Sequence, residues 1–171
     1  KEWSAIRNAL FNFPCIVVWV PFNEAWGQFK TNEIAKWTAD EDASRLINGA
    51  SGGNFYGGGD IIDLHNYPEP AMPNPRLFGE KQVLVLGEFG GLGLPVNDHV
   101  WTPKQNWGYQ TFTNSEELFK RYDELVKRIP AMITNGLSAA IYTQTTDVEN
   151  ETNGIYTYDR KVLKMPEQKL S

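Results

Sequence analysis

Two glutamates stand where an unpaired charge is costly. Glu24 follows the apolar run 16–22 after a single asparagine, and Glu88 follows the run 83–87. A lone carboxylate at the end of a buried strand loses hydration, so each glutamate needs a partner or a chemical task. If the two face each other, they can act as a general acid/base and a nucleophile. The alternative is that each forms an ordinary salt bridge, and spacing alone leaves both interpretations open.

The elements that must position these glutamates alternate between helices and apolar strands. The sequence predicts helices at 3–11, at 31–42 and from Ser115, which we expect to cap its helix, and strands at 15–20, 44–48, 61–65, 82–87 and 137–142. The run 15–20 contains no charged residue, as is typical of a strand buried on both faces, and Cys15 within it is expected to be a buried thiol. Such alternation indicates parallel β/α units.

Each clear strand ends in polar residues that can bind a ligand. The endings are Asn23-Glu24, His65-Asn66-Tyr67, Glu88 and Gln144. Because ligands bind at the carboxyl ends of the strands in β/α folds, we expect all four endings on one rim. The long loop 89–113 after Glu88 is rich in aromatic residues, and loops of that length are usually functional or disordered.

Four parts of the chain carry a resemblance to a known family. They are VWVPFNEAWGQ at 18–28, DIIDLHNYP at 60–68, LGEFGG at 86–91, and AIYTQTTDVE at 140–149 with NGIYTYD at 153–159. Together and in this order they resemble the acid/base segment, the sixth barrel strand, the nucleophile segment, and the eighth strand with the exit from the barrel in glycoside hydrolase family 2. That family includes β-galactosidases, β-glucuronidases and β-mannosidases.

The resemblance implies an α/β fold of the (β/α)8 TIM-barrel type, preceded in the family by β-sandwich domains. Such a barrel needs about 250 residues. The 171 residues would form one domain, residues 1–171, with only about strands 4 to 8 of a partial barrel. An open half-barrel exposes a sheet edge and apolar surface. We therefore expect a fragment completed by the remainder of a parent enzyme; a homodimer and an inactive natural remnant are the alternatives.

The resemblance also assigns roles to residues. Glu24 would be the acid/base and Glu88 the nucleophile of a retaining exo-β-glycosidase of the β-galactosidase type, acting by double displacement on terminal β-linked sugars of oligo- or polysaccharides. Asn23 would bind the sugar 2-hydroxyl, and Tyr67 would donate a hydrogen bond to the nucleophile. Retention requires carboxyl groups about 5–5.5 Å apart. Glu24 must carry a proton at the working pH, which the negative charge of Glu88 favours.

Further residues are candidates for contact with the carbohydrate substrate, each with a structural alternative. Gln144 stands where related folds place an aromatic sugar platform, so we expect it to form a hydrogen bond instead. Trp19 lies inside the predicted strand 15–20 and is expected to pack in the core. The remaining candidates on the predicted rim and in the loop after Glu88 are His65, Trp26, His99 and Trp101.

Composition excludes several classes of function. The net charge of −5 and the absence of a dense Lys/Arg stripe speak against nucleic acid as a partner. The uncharged run 11–23 is too short to cross a bilayer.

The resemblance implies that no cofactor is required; a magnesium or calcium ion could bind, although no clear ligand set supports one. Polysaccharide degradation favours a periplasmic or secreted location. The competing hypotheses are a non-catalytic carbohydrate-binding remnant and an unrelated β/α protein with structural carboxylates.

Overall fold

The computed structural model is a mixed α/β fold with short parallel sheets, and it describes residues 1–53, 57–78 and 80–170. The helices are α1 (Glu2–Leu10), α2 (Thr31–Glu41), α3 (Pro75–Phe78), α4 (Ser115–Val126) and α5 (Ile129–Thr134), followed by a 3-10 helix at Glu167–Lys169. The strands are β1 (Val18–Trp19), β2 (Leu46–Ile47), β3 (Ile61–Asn66), β4 (Val83–Gly90), β5 (Leu92–Gly93), β6 (Gln110–Thr111) and β7 (Leu137–Thr143). Over these described residues, no helix has the length and apolar character needed to span a bilayer.

Parallel strands lie beside one another mostly in the order of the chain. β1 pairs with β2, and β4 lies between β3 and β7 in a three-stranded sheet. Asp60 links the two sheets, because its N–H donates to the carbonyl of Ile47 at 2.7 Å and its own carbonyl accepts from Val83 at 2.8 Å. Over the described residues neither sheet is closed, and β5 and β6 form a separate parallel pair.

The core has two parts. The larger one packs α4 against β4, β5 and β7 and contains Leu86, Leu118 and Leu125. The smaller one lies where α2 covers the β1–β2 pair and contains Trp19, Ala35 and Ile47. Trp19 is buried and its indole N–H donates to Asp42 at 2.7 Å, so the prediction that it belongs to the core is confirmed.

The prediction of a strand at 15–20 buried on both faces is wrong. Only Val18–Trp19 is in β1, while Val17 and Val20 are 63% and 40% exposed. Cys15 is exposed as well, contrary to expectation. The physical reason is that β1 pairs only with β2 among the described strands, so its other edge and much of its apolar surface stay open to solvent.

One local prediction in the second half of the chain is also corrected. The cap of α4 is Asn114, whose Oδ1 accepts a hydrogen bond from the backbone N–H of Glu117 at 2.9 Å. Ser115 instead donates to the carbonyl of Lys164. The stretch 144–170, most of which lies outside helices and strands, is packed: Lys164 is buried and its Nζ donates to Asp147 at 2.6 Å and to the carbonyl of Thr152 at 2.9 Å.

Candidate active site

The site is built at the carboxyl ends of β1, β3 and β4. Glu24 follows β1, His65 lies near the end of β3, and Glu88 lies within β4. The register of β3 and β4 shifts between Leu64 and His65, so that Gly87 is an extra residue in β4 and His65 lies opposite Glu88. This shift places the imidazole beside the carboxylate, where a regular register would place it beside Gly87.

Glu24, His65 and Glu88 form one cluster, which we call the glutamate–histidine cluster. His65 Nδ1 lies 2.8 Å from Glu24 Oε2 and 3.1 Å from Glu88 Oε2. One donor atom from each of the three residues lies within 4.8 Å of the others, so the two carboxylates approach each other closely. The two glutamates singled out in the sequence, 64 residues apart, therefore meet with a histidine between them.

Tyr67 completes the surroundings of Glu88. Its hydroxyl lies 2.5 Å from Glu88 Oε2 and 3.0 Å from Thr143 Oγ1. A phenol has one hydrogen to donate, so Tyr67 donates to the carboxylate of Glu88 and accepts from Thr143. Burial raises the pKa of Tyr67 and the hydrogen bond to Glu88 raises it further, which keeps the hydroxyl protonated and able to donate.

The electrostatics of the site favour an ionised Glu88. Burial alone raises the pKa of Glu88, but hydrogen bonds from His65 and Tyr67 outweigh it and hold the pKa below its ordinary value of 4.5. Burial lowers the pKa of His65, whereas Glu88, Asp63 and Glu24 raise it by more, so the net pKa lies above 6.5. The cluster therefore stabilises the negative charge of Glu88 next to a histidine that readily gains a proton.

The buried carboxylate of Asp63 lies next to His65 of the cluster. Asp63 in β3 is 3% exposed and accepts hydrogen bonds from Asn48 Nδ2, Ser51 Oγ and the N–H of Gly87, each at 2.7 Å. Sequence analysis did not single out Asp63, Asn48 or Ser51. The signal that could have found Asp63 is a charged residue inside the apolar strand IIDL, because a buried charge needs several partners.

An aromatic wall next to Glu88 is formed by Tyr67 and two residues of the aromatic-rich loop 89–113. Tyr109 stacks on Tyr67 with ring centroids 3.8 Å apart, and Trp107 packs edge-on against Tyr109 at 5.6 Å. Burial and the negative charges of Glu24, Glu151 and Glu88 raise the pKa of Tyr109, which places this ring close to both catalytic candidates. Tyr109 and Trp107 are both exposed, so their rings can contact a bound molecule.

The other predicted site residues lie in different surroundings. Asn23 and Trp26 flank Glu24, and Trp26 is 94% exposed. Gln144 follows β7, where its amide donates to Asn153 Oδ1 at 2.6 Å; a hydrogen bond from Gln144 to a sugar stays a prediction.

The two candidates in the loop after Glu88 contact the segment 158–159. His99 pairs with Asp159 at 2.9 Å, and Trp101 packs against Tyr158 with ring centroids 4.9 Å apart. The structure thus brings Glu24, His65, Tyr67 and Glu88 together and gives His99 and Trp101 a separate set of neighbours.

A magnesium or calcium ion fits the cluster poorly. Its donor set is one imidazole nitrogen and two carboxylates, whereas magnesium and calcium prefer oxygen ligands alone. In addition, His65 Nδ1 lies at hydrogen-bonding distance from both glutamates, which a shared proton satisfies without an ion. We derive no chemical step through a metal.

The sequence matches no protein-family model and has no significant match among curated proteins.

Proposed function

We propose that the chain carries the catalytic carboxylates of a retaining exo-β-glycosidase of the β-galactosidase type, which releases terminal β-linked sugars from oligo- or polysaccharides. The observation that carries this proposal is the approach of Glu24 and Glu88 to within 4.8 Å. Retaining enzymes hold their carboxyl groups about 5–5.5 Å apart and inverting enzymes about 6.5–9.5 Å apart. One oxygen of Glu24 lies within 4.8 Å of one oxygen of Glu88, which supports the shorter spacing and hence retention.

The two glutamates would act in two displacements. In the first, a carboxylate oxygen of Glu88 attacks the anomeric carbon while Glu24 gives its proton to the glycosidic oxygen, whose bond to that carbon breaks. In the second, Glu24 takes a proton from water, the water oxygen attacks the anomeric carbon, and the ester bond to Glu88 breaks. The low pKa of Glu88 supports its role as the ionised nucleophile, and Tyr67 supports it by orienting the attacking carboxylate.

The strand order supports a partial (β/α)8 barrel. β1, β2, β3 and β4 follow one another in space through parallel pairing and the link at Asp60, as consecutive barrel strands do, and the site lies at their carboxyl ends. The edges of this arc expose apolar side chains, namely Val17 and Val20 near β1 and Ile141 in β7. We propose that further strands, from the remainder of a parent enzyme or from a second copy, cover these edges.

Replacement of Glu88 tests the proposal. We expect Glu88→Gln to lower the turnover of aryl β-glycosides by the natural protein by orders of magnitude, because the amide cannot form the glycosyl ester. Glu33→Gln is the matched control, since Glu33 is an exposed residue of α2 paired with Lys30. Turnover is measured by release of the aryl alcohol, and the first sugar product is examined by NMR for the β-anomer. Near wild-type turnover of Glu88→Gln, or an α-anomer as first product, would contradict the proposal.

The alternative is a carbohydrate-binding domain without turnover. The exposed rings of Trp26, Trp107 and Tyr109 favour it, because aromatic faces bind the apolar faces of sugars. Calorimetry on the natural protein tests whether these rings bind the sugar. Sugar binding that persists in Trp107→Ala and Tyr109→Ala would speak against an aromatic platform. Binding without any turnover by the unmodified protein would instead favour the alternative.

A further inference from the structure

A chain of hydrogen bonds runs from buried Asp63 through Ser51 to His65. Ser51 Oγ lies 2.7 Å from Asp63 Oδ2 and 2.8 Å from His65 Nε2. The side chains of Asp63 and His65 are each 3% exposed, so water competes little for these bonds. The other ring nitrogen of His65, Nδ1, faces the two glutamates, and the two sides of the ring therefore meet different partners.

The direction of these hydrogen bonds follows from the donors around Asp63. Asp63 Oδ2 accepts from Asn48 Nδ2 as well as from Ser51, and Oδ1 accepts from the N–H of Gly87. Asn48 Nδ2 and the backbone N–H of Gly87 can only donate, so both oxygens of Asp63 act as acceptors toward them. Asp63 is therefore an acceptor, and the single hydrogen of Ser51 points to it. The lone pairs of Ser51 Oγ are then free to accept from His65 Nε2.

We propose that Asp63 and Ser51 are positioning residues that hold a hydrogen on Nε2 of His65, so that Nδ1, Glu24 and Glu88 share one further proton. The proton is either on Nδ1, with both glutamates ionised, or on Glu24, which then donates to Nδ1 of a neutral ring. The two states differ by transfer over the 2.8 Å contact between Nδ1 and Glu24 Oε2, in which the N–H bond breaks and the O–H bond forms.

The consequence for turnover rests on the proposed function. Glu24 gives its proton to the leaving group in the first displacement and regains one from water in the second. His65 suits the start of each cycle, because Nδ1 of the neutral ring accepts a hydrogen bond from protonated Glu24 and the ring stays in one tautomer. The same ring hydrogen-bonds Glu88 and favours its ionised form.

The packing around His65 holds the ring in this orientation. Gly52 has φ +71°, and a Cβ built on it would lie 2.1 Å from Cγ of His65, so the backbone of the loop lies directly against the ring. The charged groups facing His65 are Glu24, Asp63 and Glu88, and all three are acidic. Tyr67 and Tyr109 are the titratable groups next to these glutamates, and both have raised pKa values, so they stay neutral.

The tautomer of His65 can be read directly by NMR. The chain has two histidines, so His99→Asn leaves His65 as the only imidazole signal in a sample labelled with 15N-histidine. Long-range proton–nitrogen spectra across a pH titration show which nitrogen carries a hydrogen. We expect Nε2 to be protonated throughout and only Nδ1 to titrate. A neutral ring with its hydrogen on Nδ1 would overturn the proposal.

Variants of Ser51 and Glu24 test the two halves of the proposal. Ser51→Ala removes the acceptor for Nε2, so we expect the neutral ring to place its hydrogen on Nδ1; Ser51→Thr keeps the hydroxyl and should retain the original tautomer. Ser138→Ala, at an exposed serine of β7, is the matched control and should change nothing. Glu24→Gln should lower the pH at which Nδ1 loses its hydrogen, because one negative partner is removed.

An unchanged tautomer in Ser51→Ala, or an unchanged midpoint in Glu24→Gln, would contradict the shared-proton arrangement. None of these measurements requires turnover. A protein with the expected tautomer but no glycosidase activity would retain this inference and lose the proposed function. The reverse result, activity with the opposite tautomer, would retain the proposed function and lose this inference.

Discussion

His65 is the residue through which the two glutamates influence each other. Its Nδ1 lies within hydrogen-bonding distance of Glu24 and Glu88, and its side chain is almost completely buried. The carboxylates stabilise the charged form of this imidazole, whereas burial favours its neutral form. The carboxylates have the larger effect, so the pKa of His65 is raised. The charge of the site therefore depends on a single proton.

The stability of the fold should depend on pH through this cluster. The folded pKa of Glu88 lies below 4.5, so its contribution is present above pH 4.5 and is lost as the pH falls through the folded pKa. The folded pKa of His65 lies above 6.5, so its contribution is present below pH 6.5 and is lost as the pH rises through the folded pKa. Both contributions are complete between these two values.

We therefore expect His65→Gln to be most destabilising relative to the unmodified chain at pH 4.5–6.5, with a smaller difference at alkaline pH. The free energy of unfolding in urea, measured across pH for both proteins, checks this. His99→Asn controls for loss of an imidazole elsewhere. A difference between His65→Gln and the unmodified chain that grows above neutral pH would have the wrong sign and contradict the assignment.

At the scale of elements, one extra residue in β4 aligns the site residues of the paired strands β3 and β4. Gly87 gives β4 the residue that shifts the register, and its N–H donates to Asp63. A side chain has no room there, because a Cβ on Gly87 would lie 2.1 Å from Asp63 Oδ1. The glycine before Glu88 is thus required by the buried carboxylate on the neighbouring strand.

Gly87→Ala should destabilise the fold by about 1–3 kcal/mol, as overpacking of a buried site typically does. It should also displace Asp63 and broaden the NMR signals of His65. Gly49→Ala is the control, since a Cβ there makes its closest contact at an ordinary 3.4 Å. Unfolding in urea gives both free energies. Equal stabilities of the two variants would show that Asp63 can move away without cost.

The start of α4 depends on Asn114. Its side chain satisfies the N–H of Glu117, one of the four amide groups that a helix leaves unpaired at its first turn. We expect Asn114→Ala to lower the free energy of unfolding by about 1 kcal/mol and Asn114→Ser to restore most of it. Thermal unfolding followed by circular dichroism measures both. If alanine were as stable as serine at this position, Asn114 would not be the cap.

At the scale of the whole molecule, a buried ion pair fixes the last part of the chain. Lys164 and Asp147 are both fully buried and lie 2.6 Å apart. Burial raises the pKa of Asp147 and lowers that of Lys164, and each partner offsets this effect in the other. Lys164 also donates to Thr152, so one ammonium group joins three separate points of the segment that follows β7.

Lys164→Met should cost about 3–5 kcal/mol, because it leaves the carboxylate of Asp147 buried without its counter-charge. The double variant Asp147→Asn with Lys164→Met should be less destabilised than Lys164→Met alone, since no unpaired charge remains. Lys161→Met, at an exposed lysine, should stay within about 0.5 kcal/mol of the unmodified chain. Unfolding in urea measures the free energy of unfolding of each variant. Equal losses of this free energy in the single and double variants would mean that the pair is not coupled.

The sequence by itself determined the type and approximate place of the main elements. Apolar runs identified β3, β4 and β7 to within a few residues, because a continuous apolar run is the local signal of a strand in a parallel sheet. The polar residues at the ends of these runs and of the run 16–22 identified Glu24, His65, Tyr67 and Glu88, which the structure brings together. A charge directly after an apolar run is a local signal, so no knowledge of distant contacts was needed.

Only the tertiary structure decided how the site is assembled. Ser51, Asp63 and Tyr109 reach the surroundings of His65 and Tyr67 from separate parts of the chain, and their types and spacing do not reveal which neighbours they meet. The same holds for the burial of Lys164 and the exposure of Val17. Burial depends on which strands pair and which edges remain open. Those are long-range contacts, whereas composition and periodicity report only on the neighbours of a residue along the chain.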